Sequence, residues 1–290
     1  MSASETGERW TILRVLQWTQ GRFAERGLAT PRLDAELLLG HVLEKDRVSL
    51  YTHFDQPLQA GELAAYRELI KRRLGGQPVA YLVGKKEFRS LELAVDPRVL
   101  VPRPDTEATV ELALARLEGR EAPRVVDVGT GSGAIALAIK KARPDAEVLA
   151  VDRSPEAAEV ARTNAARLEL AVDVRVGDLL APVEGAFDLF VSNPPYIPTG
   201  EIARLPVEVR AEPLPALDGG ADGLEIIRRL IADARARLKP GGALVLEVGA
   251  GQSPSVRSLL EASGYREIEV ARDLAGIERA LSAILPAAAS

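Results

Sequence analysis

The spacing of apolar residues changes character twice along this chain. From residue 10 to about 75 it is helical. Trp10, Leu13, Leu16 and Trp18 predict a first helix over 10–26 that stops at Gly27. Thr30-Pro31 reads as a cap followed by proline at the first helical position, with Leu33, Leu37, Leu38 and Val42 as the apolar stripe behind it. Asp46 is placed to cap a short third helix, and 61–74 forms another. Past Gly75-Gly76-Gln77-Pro78, a linker signature, the pattern over 79–101 turns to short strands at 86–88, 91–95 and 99–101, turned by Asp96-Pro97. A helix over 105–117 follows, with Asp105 as its expected cap. From Arg124 onward strands and helices alternate. Strands are expected at 124–128, 147–151, 172–176, 187–192, 243–248 (read as wholly apolar), 266–270 and within 278–285. Helices are expected at 134–142, 155–168, 223–238 and 253–263. That alternation specifies an α/β fold with a parallel, doubly wound sheet. The domains expected are a helical bundle over 1–75, a strand or hairpin linker over 76–104 and an α/β domain over 105–290.

Composition narrows the chemistry. The 290 residues suffice for one large and one small core, and 47% hydrophobic with 27% charged residues is ordinary for a soluble protein. Cysteine is absent, which excludes disulfides, thiolate nucleophiles and cysteine-held metals. His41 and His53 are the only histidines, both lie in the helical region, and no metal site is expected. The opening residues are polar and no run reaches membrane-spanning length, so a cytoplasmic protein with no membrane partner is expected. A net charge of −5 gives no general attraction to nucleic acid, and no stable binding to it is expected, although Lys71-Arg72-Arg73 and Lys85-Lys86 are locally basic. A monomer is expected.

The strand at 187–192 ends abruptly in Asn193-Pro194-Pro195-Tyr196. Pro195 pushes Pro194 into an extended conformation, and neither proline has an N–H to continue a ladder. The tip therefore carries a side-chain amide, a projecting carbonyl and an aromatic plane. Two acceptors beside a π face suit a planar NH2 group on an sp2 carbon, either a primary amide or an exocyclic amine. The competing reading is that Asn-Pro-Pro only ends a strand.

Upstream, Gly129-Thr130-Gly131-Ser132-Gly133-Ala134 fits G-x-G-x-x-A, and Asp152 ends the next strand at the offset that suits a ribose. These features serve NAD and S-adenosylmethionine alike, since both carry adenosine. Asp178, just past the third strand of the sheet, is placed for the adenine edge, with Leu179 to pack on the ring. With the Asn-Pro-Pro-Tyr tip, these groups converge outside the carboxyl ends of the strands, where such sheets bind ligands. A dehydrogenase has no use for an amide clamp, and this region has no histidine or cysteine for proton transfer. The combination favours a methyltransferase using S-adenosylmethionine. No general base stands out. The alternatives are methylation of the adenine N6 of RNA or DNA by the same clamp, and a non-catalytic binding module.

The chain resembles the bacterial peptide chain release factor glutamine methyltransferases (the PrmC/HemK family). The resemblance is carried by Pro78-Val79-Ala80-Tyr81-Leu82-Val83-Gly84, Glu87-Phe88, Val101-Pro102-Arg103-Pro104-Asp105-Thr106-Glu107 and Asp127-Val128-Gly129-Thr130-Gly131-Ser132-Gly133-Ala134. Ser192-Asn193-Pro194-Pro195-Tyr196-Ile197 and the later Glu212-Pro213, Asp218-Gly219-Gly220 and Asp222-Gly223-Leu224 also fit. It implies a seven-stranded class I (Rossmann-like) methyltransferase domain over 105–290; the helical domain before it, a surface beyond what the chemistry needs, is expected to dock the substrate together with the linker around 79–101. It further implies transfer of a methyl group to the N5 amide nitrogen of the glutamine in the Gly-Gly-Gln loop of release factors. Gly129 to Gly133, Asp152, Leu179 and Asn193 would then hold the cofactor, and Asn193 to Tyr196 the substrate. Leu179 stands where some relatives place tryptophan, which gives it a smaller stacking face.

Overall fold

The computed structural model describes residues 9–287; the polar opening residues 1–8 and residues 288–290 of the alanine-rich tail lie outside them. Two compact units form. One holds the chain up to Gly84 together with Val207–Ala211, and the other holds Lys85–Pro206 and the chain from Glu212 onward.

The first unit is helical: α1 (Ile12–Glu25), α2 (Pro31–Leu43), α3 (Arg47–Thr52), α4 (Ala60–Leu74) and α5 (Val79–Val83). Its core is built on Ile12, Val15, Leu16 and Phe23 of α1, Ala35, Leu38 and Leu39 of α2, and Leu50, Tyr66, Leu69, Ile70 and Leu82. The buried face of α1 is thus offset from the expected stripe, and Trp18 is 40% exposed. Leu33 and Leu37 likewise face outward, because α2 carries leucines on several sides and its packing partners choose the face. One of those partners is polar. Arg73 of α4 reaches the buried Asp34 at 2.7 Å and also pairs with Glu208 at 2.5 Å. The Asp46 cap forms as expected, accepting from the Ser49 N–H at 2.7 Å. Thr30 does not cap; its hydroxyl donates to Asp34 Oδ1 at 2.6 Å. Residues 79–83, given no element of their own from sequence, are helical and closed by Gly84 in the left-handed region at φ 75°. Five residues are too few to show a period, and this turn buries only Leu82.

The second unit opens with an antiparallel hairpin, β1 (Lys85–Phe88) and β2 (Leu91–Ala94). Residues 99–101, expected as a third strand, are not in one. The helix α6 (Thr106–Arg116) follows, but Asp105 accepts no capping bond and instead pairs with Arg279 at 3.2 Å. The remaining elements are β3 (Arg124–Val128), α7 (Ala134–Ala142), β4 (Glu147–Asp152), α8 (Pro155–Arg167), β5 (Asp173–Val176), β6 (Phe187–Ser192), then α9 (Val207–Arg210), which belongs to the first unit, and α10 (Glu225–Arg235), β7 (Leu238–Glu247), α11 (Ser253–Ala262), β8 (Arg266–Arg272) and β9 (Glu278–Ile284) of the second. The sheet has seven strands in the order β5-β4-β3-β6-β7-β9-β8. Its order reverses beside β3, which pairs in parallel with β4 on one side and β6 on the other. That is the switch point where such sheets bind ligands.

Two departures from the expected sheet have local causes. β9 runs antiparallel between β7 and β8, because the short connection from Arg272 to Glu278 permits a hairpin and not a parallel crossover. β7 begins at Leu238, so the Lys239-Pro240-Gly241-Gly242 stretch is a bulged start of the strand. The lone charge in β6 is satisfied at the far end of the sheet. Asp188 accepts from the Arg124 N–H at 2.9 Å and from Lys239 Nζ at 2.7 Å.

Candidate active site

A cavity of about 420 Å³ opens at the carboxyl ends of β3, β4, β5 and β6, a size ordinary for a small-molecule site. Gly129, Thr130, Gly131, Ser132, Asp152, Asp178, Leu179, Asn193, Pro194 and Pro195 all line it. Gly133 and Tyr196 do not. Gly133, at φ 85°, precedes α7, and a Cβ there would meet Leu137 at 3.0 Å, so its work is close packing of helix on sheet. Tyr196 is half-buried against the hydrophobic core, where burial pushes its phenol up to about 12, and its carbonyl accepts from Gln252 Nε2 at 2.9 Å.

The glycine turn is held from below and from the side. Asp127, the last residue but one of β3 and buried, has Oδ2 accepting from the Thr130 hydroxyl at 2.6 Å and the Ala136 N–H at 3.1 Å. Its Oδ1 has no partner, and complete burial pushes the carboxyl up to about 7. The buried amide of Asn164 in α8 donates to Ser132 O at 2.9 Å and exchanges bonds with both backbone groups of Ala94. Asp152 accepts from the Gly131 N–H at 2.8 Å and the Ser154 N–H at 2.9 Å, one on each oxygen. Burial raises its pKa, and those backbone bonds oppose the shift. Each oxygen keeps acceptor capacity for a hydroxyl in the cavity. Gly129 and Gly131 sit at φ 73° and 54°, and a Cβ at either would meet no neighbour within 4 Å, so the turn presents bare backbone. Asp178 is already paired with Arg229 at 2.5 Å, which occupies its Oδ2.

Asn193 sits just past the end of β6, whose last residue, Ser192, donates its hydroxyl to Val128 O at 2.6 Å. Its Nδ2 donates to Thr106 Oγ1 at 3.2 Å, which leaves the carbonyl oxygen Oδ1 as the group a guest N–H can meet. The tip is backed by the glycine segment that follows it in the chain. A Cβ on Gly219 would lie 2.7 Å from Pro195 O, and one on Gly223 2.3 Å from Tyr196 O. Arg103, between its two prolines, also lines the cavity and pairs with Glu212, whose Oε2 accepts from the Val101 N–H at 3.0 Å.

A profile described as the PrmC N-terminal domain matches residues 14–84, and one described as the methyltransferase small domain matches residues 105–205. The release factor glutamine methyltransferase of Geobacter sulfurreducens is 45% identical over 278 residues, covering 95% of this chain and 97% of that one. The chain belongs to the release factor glutamine methyltransferases. The member from Rhodopirellula baltica is 44% identical over 97% of this chain and 99% of its own. A methyltransferase structure from Pyrococcus furiosus superposes with a TM-score of 0.52 at 21% identity, over 74% of this chain and 97% of that one, a likeness of fold.

Three side chains that hold this family member's site, Thr106, Asp127 and Asn164, and the buried carboxyl group of Glu247 in β7 were given no role from sequence. Two had a signal. Asp127 and Glu247 are lone charges in apolar runs, and both are 1% exposed. The stretch 243–248 is therefore not wholly apolar. Thr106 was named only within a segment that carries the resemblance, and Asn164 had no signal, since the partners of both lie far away in the chain.

Proposed function

We propose that this protein transfers a methyl group from S-adenosylmethionine to the N5 amide nitrogen of a glutamine, that of the Gly-Gly-Gln motif in bacterial peptide chain release factors. One observation carries the reading: Asn193, with its Nδ2 committed to Thr106, lines the same cavity as the glycine turn and Asp152. The residues fit the cofactor. Gly129 to Ser132 offer bare backbone, Asp152 offers two acceptor oxygens for ribose hydroxyls, and Asp178 and Leu179 flank the adenine end. The bound cofactor supplies an electrophilic methyl group.

The chain supplies the rest. An amide nitrogen is a poor nucleophile because its lone pair is delocalised into the carbonyl. Asn193 Oδ1 and the Pro194 carbonyl accept its two N–H bonds and fix the NH2 plane, while Pro195 and Tyr196 stiffen the tip. Orientation of this kind is worth several kcal/mol, up to ~7–11. The same oxygens stabilise the positive charge that arrives on nitrogen with the methyl group. The methylated amide is then a strong acid and loses its proton to water.

The helical unit docks the body of the release factor while its loop enters the cavity. The enzyme acts as a monomer in the cytoplasm. Among the described residues no helix is long and apolar enough to cross a membrane. The test is incubation with labelled S-adenosylmethionine and an intact release factor beside RNA and DNA, followed by mass spectrometry of the modified peptide. Label on the Gly-Gly-Gln glutamine is expected. Label in nucleic acid and not in the release factor would replace this reading with adenine methylation.

A further inference from the structure

Arg103 stands between two prolines, and no local rule of chain geometry asks for a cation there. Pro104 holds Arg103 extended and Pro102 fixes its own φ, so the segment is stiff before anything packs on it. One buried carboxylate then fastens it twice. Glu212, whose side chain is 1% exposed, accepts from the Val101 N–H at 3.0 Å through Oε2 and from Arg103 Nη2 through Oε1. The segment is also tied to the amide clamp: the Thr106 N–H donates to Arg103 O at 3.2 Å, and Thr106 Oγ1 receives Asn193 Nδ2. Arg103 therefore lines the cavity on a backbone that is already ordered and linked to Asn193.

The guanidinium has donors to spare. It carries five N–H groups, and among the described residues it donates to Glu212 alone. Other donors of the lining are committed. Arg98 gives its guanidinium to both oxygens of Asp96, Thr130 its hydroxyl to Asp127, and Asn193 its amide to Thr106. Pro102, Pro194, Pro195 and Pro213 line the cavity without an N–H to offer. The pairing with Glu212 has a second consequence. A lone cation in the cavity would repel the positive sulfonium of the cofactor, whereas the ion pair offers donors at no net charge. A guanidinium only donates, so its partner is an acceptor. In Gly-Gly-Gln the two glycines have no side chain, and the acceptors they present are peptide carbonyls. The side-chain carbonyl of the glutamine is the wrong target, because a donor on it would draw the nitrogen lone pair further into the amide and slow methyl transfer.

We propose that Arg103 is a substrate-binding residue that donates to a backbone carbonyl of the two glycines preceding the target glutamine, and that Glu212 holds and neutralises it. The contact is made before and during methyl transfer alike, so it lowers KM and leaves kcat to Asn193 and the Pro194 carbonyl. The inference rests on the reading of the substrate as the Gly-Gly-Gln loop of a release factor.

The test compares full-length wild type, Arg103→Met and the Arg103→Met/Glu212→Gln double variant. It uses steady-state methylation of an intact release factor, calorimetric binding of S-adenosylmethionine and thermal unfolding. Methionine alone strands a buried carboxylate and should lower the melting temperature. The double variant removes that charge and keeps an oxygen for the Val101 N–H. In both, KM for the release factor should rise roughly 10- to 100-fold, the scale of a lost hydrogen bond to a charged group, with kcat and cofactor affinity near wild type. The same assay is run on release factors assembled by peptide ligation with C=S replacing C=O at each of the two glycines in turn. Sulfur is a poor acceptor, so one of these substrates should raise KM for wild type and leave it unchanged for the double variant. Unchanged KM in the folded double variant overturns the proposal, as does a loss confined to kcat or matched by loss of cofactor affinity. A wild type indifferent to both thioamides overturns it without any variant, and so do additive losses from variant and thioamide. A wild type that leaves the release factor unlabelled refutes the proposed function and takes this inference with it. A wild type that labels it, with the double variant at wild-type KM, refutes the Arg103 contact alone.

Discussion

Replacing Asp152 by alanine isolates the ribose contact from the rest of the site. The carboxylate makes two bonds within the protein, from the Gly131 N–H at 2.8 Å and the Ser154 N–H at 2.9 Å. Burial works against the ionised form, as the raised pKa shows, so the two effects offset and the fold should lose little. Both orphaned N–H groups lie beside a cavity that water can enter. The cofactor, in contrast, loses its charged acceptor outright. Hydrogen bonds to a charged group contribute roughly 1.5–3 kcal/mol. With a share returned by water, a net loss of ~1–3 kcal/mol corresponds to a dissociation constant roughly 5- to 150-fold weaker. Calorimetric titration of S-adenosylmethionine into wild type and variant measures this directly, with thermal unfolding run alongside. Turnover at saturating cofactor should fall less than affinity. Unchanged affinity would show that this aspartate does not hold the ribose. A melting temperature that collapses with the affinity would show that its main task is to tether the glycine turn.

Other perturbations test separate parts of the argument. Asn193→Ala should abolish methyl transfer in a release-factor assay while cofactor affinity falls far less, and near-wild-type turnover would remove Asn193 from the clamp. Gly219→Ala places a Cβ 2.7 Å from Pro195 O and 2.8 Å from Tyr196 Cα, both backbone, so a folded variant should show reduced kcat as the tip is displaced. Asp127 has its carboxyl raised from 3.8 to about 7, so the folded state holds a proton that the unfolded state has lost across that window. Its contribution to stability is full below pH 3.8 and declines as pH rises toward about 7. Asp127→Asn can keep an oxygen at the Oδ2 position and put NH2 at the unpartnered Oδ1, so melting curves between pH 5 and 8 should fall less steeply, on the scale of about one titrating group. Arg73→Ala leaves the buried Asp34 without its counter-charge and should destabilise the helical unit by ~3–5 kcal/mol in denaturant unfolding.

Much of this molecule follows from short stretches of chain. The alternation of strands and helices from Arg124 onward, the glycine turn and the Asn-Pro-Pro-Tyr tip are readable because each is set by neighbours within a few residues. Glycine permits its own φ, proline lacks its own N–H, and period two or 3.6 is a property of consecutive positions. Once β3 lies between β4 and β6, the strand ends carry their ligand groups to one place without further instruction. The antiparallel β9 was missed, because the parallel sheet read from the alternation overlooked a connection before it that is too short for a crossover.

What only the tertiary structure decided is which of several equivalent options a side chain takes. The helices of the first unit offer more than one apolar face, and packing put Phe23 inside and Trp18 outside. Tyr196 has an aromatic plane to offer, and the core took it while the cavity did not. Asn193 Nδ2 meets Thr106 Oγ1, 87 positions before it, and Glu247 meets Thr109 across 138 positions. Periodicity and turn chemistry are local energies written into adjacent residues. The direction of a buried hydrogen bond is a property of a pair, and the pair exists only after the chain has closed on itself.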